Sequence, residues 1–433
     1  MLRYVAMLAL CLCTLNAQAA ATPAGTPAAG SLVIVGGALR ADNAAVWERM
    51  VKLAGGKGAR IAVFPTAAGN PDRSGNRLLE LFRSYGADPF LVRIAPQPAP
   101  AGYERGPNDA ATAAQVAAAG GAFFAGGDQS RITRALRNPD GSNTLVLDAL
   151  WRLYRSGGMV GGTSAGAAIM SAAMIDNAPP ILDMLKSGVV DGREVAPGLG
   201  FIGDDVFVDQ HLLVRGRFAR MMPVMLKKGL KVGLGIDENT AMIVDARREV
   251  EVLGYRGAVL LELAGASSKP GAFNISNARI SYLDSGDRYQ IGTGKLTPSA
   301  DKTGGLVDPA KPSNMGPLFY GDILGNTTVV EMMEKLIDSS EAAAVGLAFG
   351  GPLSGSPQTG FEFKLSKTAD SIGYESATSA HYSVYRLRLD VRPVRLAQPL
   401  YTDELPQSND QSSKTMRSPS PATQPAAIGV QPR

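Results

Sequence analysis

The sequence predicts an α/β fold: an open, doubly wound, mostly parallel sheet, followed by a smaller β-rich C-terminal extension. Three observations predict it. Short unbroken apolar runs at 32–35, 61–64 and 121–124 read as strands buried on both faces. Segments of helical spacing alternate with them, as in a sheet whose crossovers are helices. A further run, Met159-Val160, leads through Gly161-Gly162-Thr163-Ser164-Ala165-Gly166 into small helix-compatible residues, the Gly-x-Ser-x-Gly pattern of a nucleophile elbow.

The elements follow in order. Residues 32–35 form the first strand and end in Gly36-Gly37. Residues 43–54 form a helix, with Ala44, Trp47, Met50, Val51 and Leu53 largely on one face. A strand at 61–65, a helix at 76–85 and a strand at 90–92 come next. An Ala-rich helix at 109–119 precedes the strand at 121–124, which runs into Ala125-Gly126-Gly127-Asp128-Gln129-Ser130. Asp128 there suits a helix N-cap, and glycines at a strand end let backbone N–H groups turn toward a ligand. A helix at 145–154 leads to the Ser164 turn. Residues 179–200 read as an irregular surface loop, with Pro179-Pro180, Asp191-Gly192 and Pro197-Gly198 as breakers. A strand at 205–208 runs into Asp209-Gln210-His211, and a helix bearing Phe218, Met221, Met222 and Met225 follows. The strand at 232–236 ends in Asp237-Glu238-Asn239-Thr240. Apolar runs at 242–244, 250–252 and 259–261 are spaced as an antiparallel meander.

The chain divides into a leader at 1–19, a small-residue linker at 20–30, a catalytic α/β domain at 31–265, a β-rich extension with one helix at 266–400, and a tail at 401–433. In the leader, Arg3 precedes an apolar run at 5–15, and Ala17-Gln18-Ala19 has the form of a cleavage site. Export with a mature start at Ala20 is expected, to the periplasm or beyond the cell, with no membrane attachment after cleavage. Both cysteines, Cys11 and Cys13, lie in the leader, so the mature chain would use no disulfide, thiol nucleophile or thiolate metal site. In the extension, 327–337 has helical amphipathicity and 382–389 alternates as a half-exposed strand. The tail is rich in Pro, Ser, Gln and Asn, a composition expected to stay disordered. A formal charge of +4 over 433 residues, with no basic run or aromatic ladder, argues against nucleic acid as a partner.

A serine nucleophile needs a base, and the chain has two histidines. His381 lies in the extension with no turn or acid pattern around it. His211 follows a strand end on the same sheet edge as Ser164 and is the favoured base. Glu238, past the next strand end, can orient it; Asp237 is the rival, and Asp209 is expected to point elsewhere. The order Ser, His, Glu differs from that of α/β-hydrolases, which sets that fold aside. Ala165 N–H, after the serine, and the backbone at Gly127 and Asp128 are candidate oxyanion donors. Arg215, Arg217 and Arg220 suit carboxylates, since a guanidinium binds them bidentately; a solvated helix face is the plainer reading of the three. Asp209 and Gln210 offer hydrogen-bond acceptors in the same stretch. Two distant histidines and no mature cysteine make no ordinary zinc site, and neither metal nor cofactor is expected.

Gly126-Gly127-Asp128-Gln129, Gly162-Thr163-Ser164-Ala165-Gly166-Ala167, Asp209-Gln210-His211 with Arg215, Arg217 and Arg220, and 235–241 together resemble the cyanophycinase family, in its order and over roughly residues 32–263. Aspartyl dipeptidase is a more distant relative. The resemblance implies a flavodoxin-like, glutamine-amidotransferase-like core, a homodimer, and a serine exopeptidase. It would act on cyanophycin, a poly-aspartate backbone carrying arginine on each side-chain carboxylate, and release β-Asp-Arg. Carried over, Ser164 is the nucleophile, His211 the base and Glu238 its orienter, with Gln129, Asp209, Gln210, Arg215, Arg217 and Arg220 in the substrate pocket, where Asp209 and Gln210 could accept from a substrate guanidinium. The chain departs from the family in its export signal, in Leu212 where an aromatic is common, and in the extension. A secreted dipeptidase for Asp-containing peptides and an inactive binding protein on the same fold are the alternatives.

Overall fold

The computed structural model describes residues 30–103, 106–351 and 358–397. The leader, nearly all of the linker and the tail lie outside them.

The N-terminal part alternates as expected. β1 (Ser31–Val35), α1 (Ala44–Leu53), β2 (Arg60–Phe64), α2 (Pro71–Ser84), β3 (Asp88–Leu91), α3 (Ala110–Ala117), β4 (Gly121–Phe124), α4 (Gln129–Leu136), α5 (Leu145–Arg155), β5 (Met159–Thr163) and α6 (Ala165–Ala168) follow one another. Strands β3, β2, β4, β5 and β1 lie side by side and parallel, in that order. Side chains on β1 alternate between two cores. Val33 and Val35 join Trp47 and Met50 of α1 and Phe82 of α2 on one face. Leu32 and Ile34 join α3, α4, α5 and α6 on the other. Both faces are apolar, which is why these strands read as unbroken hydrophobic runs.

Beyond β1 the chain builds differently. α7 (Ile181–Ser187) and β7 (Val195–Pro197) lie within the stretch 179–200 expected to be an irregular loop, and β7 pairs with β6 (Ala173–Ile175), which precedes it, in a two-stranded ribbon. These pieces are three to seven residues long and sit among Pro and Gly. Periodicity needs a longer window than that. β8 (Val206–Gln210), α8 (Phe218–Lys228), β9 (Val232–Ile236), β10 (Thr240–Val244), β11 (Glu249–Gly254) and β12 (Ala258–Glu262) follow. The expected meander is corrected. β10 pairs antiparallel with β1 and β11 with β10, but β12 leaves them and pairs with β9 in a second sheet. All three strands are short and closely spaced, so the spacing gives no sign of the switch.

The remaining elements are β13 (Ile275–Leu283), β14 (Arg288–Gln290), β15 (Lys295–Thr297), β16 (Leu318–Tyr320), α9 (Thr328–Ile337), β17 (Ala343–Phe349), β18 (Thr359–Ser366), β19 (Ile372–Glu375) and β20 (Tyr382–Arg395). β14 and β15 extend the first sheet past β11. The others join the second, whose order is β16-β17-β18-β20-β13-β12-β9-β8 with β19 against β20. The division at 265/266 thus falls within one sheet. The inner face of this sheet (Val206, Val208, Leu234, Ile236, Ala258, Leu260) packs into the core that covers the parallel strands. Its outer face is covered by α8 and α9. The ends of β5, β8 and β9 meet where the two sheets adjoin.

Candidate active site

Ser164 sits between β5 and α6 with φ 55° and ψ −108°, a left-handed backbone that is strained for a residue with a Cβ. Its N–H donates to Val35 O at 3.0 Å, tying the turn to β1. Small neighbours are required, as the sequence suggested. A Cβ on Gly162 would lie 2.4 Å from Gly166 O, and one on Gly166 would lie 2.5 Å from Phe124 O.

His211 closes the end of β8. Its Nε2 lies 2.8 Å from Ser164 Oγ, and its Nδ1 lies 2.6 Å from Glu238 Oε1. The chain of contacts Ser164–His211–Glu238 therefore exists, drawn from three strand ends on two sheets. The His211 side chain is 10% exposed and that of Glu238 30%. Burial lowers the His211 pKa from its usual value; the Glu238 hydrogen bond opposes this, and the charges of Arg215 and Arg217 reinforce it. A neutral imidazole with Nδ1–H donated to Glu238 leaves Nε2 free to accept the serine proton.

The two rival carboxylates have other duties. Asp237 is fully buried; it accepts the N–H groups of Leu213 and Val214 at 3.1 and 3.2 Å and pairs with Arg256 at 3.2 Å. Asp209 is held by Arg220 through two bonds of 2.7 Å and also accepts Gln210 N–H. With both oxygens taken and its side chain 3% exposed, Asp209 is not placed to accept a substrate guanidinium, contrary to the sequence reading. It fixes Arg220 instead. His381 is exposed and remote from this chain of contacts.

Gly127, Gln129, Ser164, Ile175, Ala178, Gln210, Arg215, Arg217 and Arg220 line a cavity of about 180 Å³ beside the serine. Gln129 opens α4 and donates through Nε2 to Ile175 O at 2.6 Å. Arg217 donates to Gln210 O and Oε1 at 3.0 and 2.9 Å, so Gln210 too is engaged from within the protein. Burial and the nearby Arg220 charge lower the Arg217 pKa to about 10, still cationic at neutral pH. Arg215 is exposed and has no side-chain partner among the described residues. The three arginines thus line the cavity beside the serine, Arg217 and Arg220 tied back to the protein and Arg215 reaching solvent.

Of the three proposed oxyanion donors, Asp128 is corrected. Its N–H donates to Ala67 O at 3.0 Å, and its carboxylate caps α4 through Ser130 N at 2.9 Å. The N–H groups of Gly127 and Ala165 have no acceptor among the described residues and flank the serine. The sequence reading passed over Gly36 and Gly37. Gly36 O accepts His211 N–H at 2.8 Å, and Gly37 O accepts Asn239 N–H at 2.8 Å. A Cβ on Gly37, whose φ is +117°, would lie 2.2 Å from the imidazole. The available signal was a double glycine at the end of a strand expected to reach the site edge. Leu212 is fully buried, and a Cβ on Gly235 would lie 2.4 Å from it, so this departure turns inward, away from the cavity.

A serine whose hydroxyl is hydrogen-bonded to a carboxylate-backed imidazole, with two N–H donors alongside, is equipped for acyl transfer. The family model described as Peptidase family S51 matches residues 32–251, half of the chain. The chain belongs to peptidase family S51. As a member it is a serine-type peptidase. Among its relatives, the cyanophycinase of Synechococcus elongatus is 29% identical over 276 residues, covering 61% of this chain and 80% of that protein. The cyanophycinase of Geminocystis herdmanii is 30% identical over 275 residues, covering 60% of this chain and 93% of its own. The crystal structure of a peptidase from an acI-B1 Actinobacterium aligns with a TM-score of 0.44 at 20% identity, over 61% of this chain and 98% of that one. The S51 match spans β1 to β11 and includes Ser164, His211 and Glu238.

Proposed function

We propose that this S51 peptidase is an exported exopeptidase that hydrolyses cyanophycin to β-Asp-Arg dipeptides through an acyl-enzyme on Ser164. The observation that carries the reading is the cavity itself: the Ser164–His211–Glu238 contacts open onto a wall of three arginines and two glutamines. Each arm of this polymer bears a carboxylate, and the carboxyl end of the backbone adds another. Guanidinium groups held in a partly desolvated pocket suit such groups. The likeness to proteins named cyanophycinase supports the same substrate.

In the proposed reaction His211 Nε2 takes the Ser164 proton as Oγ attacks the scissile backbone carbonyl. Gly127 and Ala165 N–H groups receive the developing oxyanion. Glu238 balances the imidazolium, which returns its proton to the leaving amine. Water then repeats the sequence on the ester and releases the dipeptide. Arg217 and Arg220 are held rigid by Gln210 and Asp209, whereas Arg215 is exposed and placed to meet a carboxylate of the incoming chain. Export and dimerisation belong to the same proposal: the mature start at Ala20 is checked by N-terminal sequencing of protein recovered outside the cytoplasm, and the dimer by light scattering.

The test is incubation with insoluble cyanophycin and mass analysis of what dissolves. β-Asp-Arg appears with the wild type and is absent with Ser164→Ala. Cleavage of short Asp-containing peptides without any release from the polymer would instead assign the chain to the dipeptidase reading.

A further inference from the structure

A larger cavity, about 580 Å³, lies at the opposite end of α4 from the catalytic one. Its lining includes Gln97, Asn108, Thr133, Arg134, Arg137 and Asn138. The two cavities share walls. Gln129, at the start of α4, lines the first, and Thr133 and Arg134, on its last turns, line the second. Five residues of helix from Gln129 to Arg134 rise about 7.5 Å. The β6–β7 ribbon joins them as well, since Ile175 lines the first and Pro197, which pairs with Ala173, lines the second.

The second cavity carries two cationic groups, Arg134 and Arg137, that make no ion pair of 4.0 Å or less among the described residues. Arg134 makes no hydrogen bond or ion pair of 4.0 Å or less among the described residues, and it is exposed. Among the described residues Arg137 donates only to neutral acceptors, at 3.2 Å to Asn143 Oδ1, 3.3 Å to Gly198 O and 3.4 Å to Gly141 O. Its Nε is buried with no hydrogen-bond partner among the described residues. Asp128 caps α4 and Asp176 follows β6; burial first, and then the nearby Asp128 charge, raise the Asp176 pKa, while the Arg134 charge lowers it.

We infer that the Arg134–Arg137 cavity is a second subsite for the polymer, holding an aspartyl-arginine arm distant from the bond cleaved at Ser164. This rests on the cyanophycin reading of the catalytic site. Each arm of that polymer is a zwitterion, with a carboxylate and a guanidinium joined by a flexible stem. Arg134 and Arg137, on the wall of this cavity, receive the carboxylate of that arm. Backbone repeats advance at most about 3.3–3.6 Å per residue, so a few repeats bridge the two cavities. A dipeptide spans only the first cavity, while a polymer engages both and gains effective concentration at the serine.

The experiment compares wild type, Arg134→Ala, Arg134→Glu and Arg137→Lys on the insoluble polymer and on a two-repeat β-Asp-Arg oligomer. The expected result is a fall of tenfold or so in kcat/KM on the polymer, largest for Arg134→Glu and carried by KM, with the oligomer within about twofold of wild type. Equal effects on both substrates, or none on either, would overturn the subsite. A parallel measurement co-sediments polymer with Ser164→Ala alone and with Ser164→Ala/Arg134→Glu. Reduced binding of the double variant supports the subsite; unchanged binding overturns it. If the wild type cleaves no polymer, the catalytic reading fails, and co-sedimentation alone decides the subsite.

Discussion

The two sheets that meet at the site are built on different principles. The first supplies Ser164 from a run of local βα units, with neighbouring strands parallel and both faces apolar. The second supplies His211 and Glu238 from β8 and β9, and then needs β12, β13 and β20, far along the chain, to continue the ladder. The nucleophile thus rests on local structure, while its base and acid rest on contacts of long sequence separation. A reaction centre at such a seam is sensitive to damage in either sheet, but in different ways.

The sharpest way to break this contrast is to end the chain after Ala266. That removes β13 and β20 from beside β12. It also strips the outer core, where Phe218 of α8 meets Phe363 at 5.7 Å and Val384, Leu387 and Leu389 are fully buried or nearly so. Each such side chain contributes about 1.5–3 kcal/mol when buried, so the loss exceeds the stability of an ordinary domain. The expected product is insoluble or uncooperative in thermal melts. A soluble, active fragment with a sharp transition would show that the second sheet stands without its C-terminal strands.

Within the intact fold, Ser164→Ala should lower kcat by about three to six powers of ten while leaving the melting temperature nearly unchanged. Glu238→Gln should follow it at a smaller cost, since the imidazole loses the partner that fixes its tautomer. The comparison with Asp237→Asn, one residue away, separates the roles. Asp237 ties the 213–214 turn and Arg256, so its loss is expected mainly in stability. If Asp237→Asn lost more activity than stability and Glu238→Gln the reverse, the assignment of the two carboxylates would be inverted.

Asp209→Ala sharpens the same point for the second sheet. It leaves the buried Arg220 unpaired, at an expected cost of about 3–5 kcal/mol read by denaturant unfolding. A change under 1 kcal/mol would mean that water reaches Arg220 freely.

The smallest effect is on pH dependence. The His211 pKa is lowered by burial first, then by Arg215 and Arg217. The neutral base therefore persists below the usual histidine value of about 6.5. Arg215→Ala removes one lowering charge, so the acid limb of kcat/KM should move to higher pH. A limb that stays or moves down contradicts the geometry. In stability the sign is that of a histidine kept neutral by folding. Below about pH 6.5 the unfolded chain binds the proton first, so this contribution is lost as pH falls through the folded pKa.

Much of the site was legible in the sequence because it lies on strand ends. Ser164, His211 and Glu238 each follow a short apolar run within a few residues, and small residues crowd the serine. Local chemistry alone suggests a nucleophile, a base and an acid there. Which acid, and which arginine is free, was beyond local sequence. Asp209, Asp237 and Glu238 are all carboxylates at strand ends, and Arg217 and Arg220 differ from Arg215 only in what they meet. Asp128 shows the same limit: one residue both caps a helix and abuts the site, and only the position of Ala67 O decides where its N–H goes.

By itself the sequence determined the alternation of β1 to β5 with their helices, because periodicity and burial are local to each element. It also determined the serine turn, because only small residues permit such close backbone approach. The tertiary structure decided the rest. It sent β12 to the second sheet, drew β13 and β20 beside it, and assigned each carboxylate to an imidazole, a turn or an arginine. Strand pairing between distant segments depends on which edges remain open after the local units have folded, and a side chain's partner depends on what lies across that pairing. Neither is written in the spacing of residues along the chain.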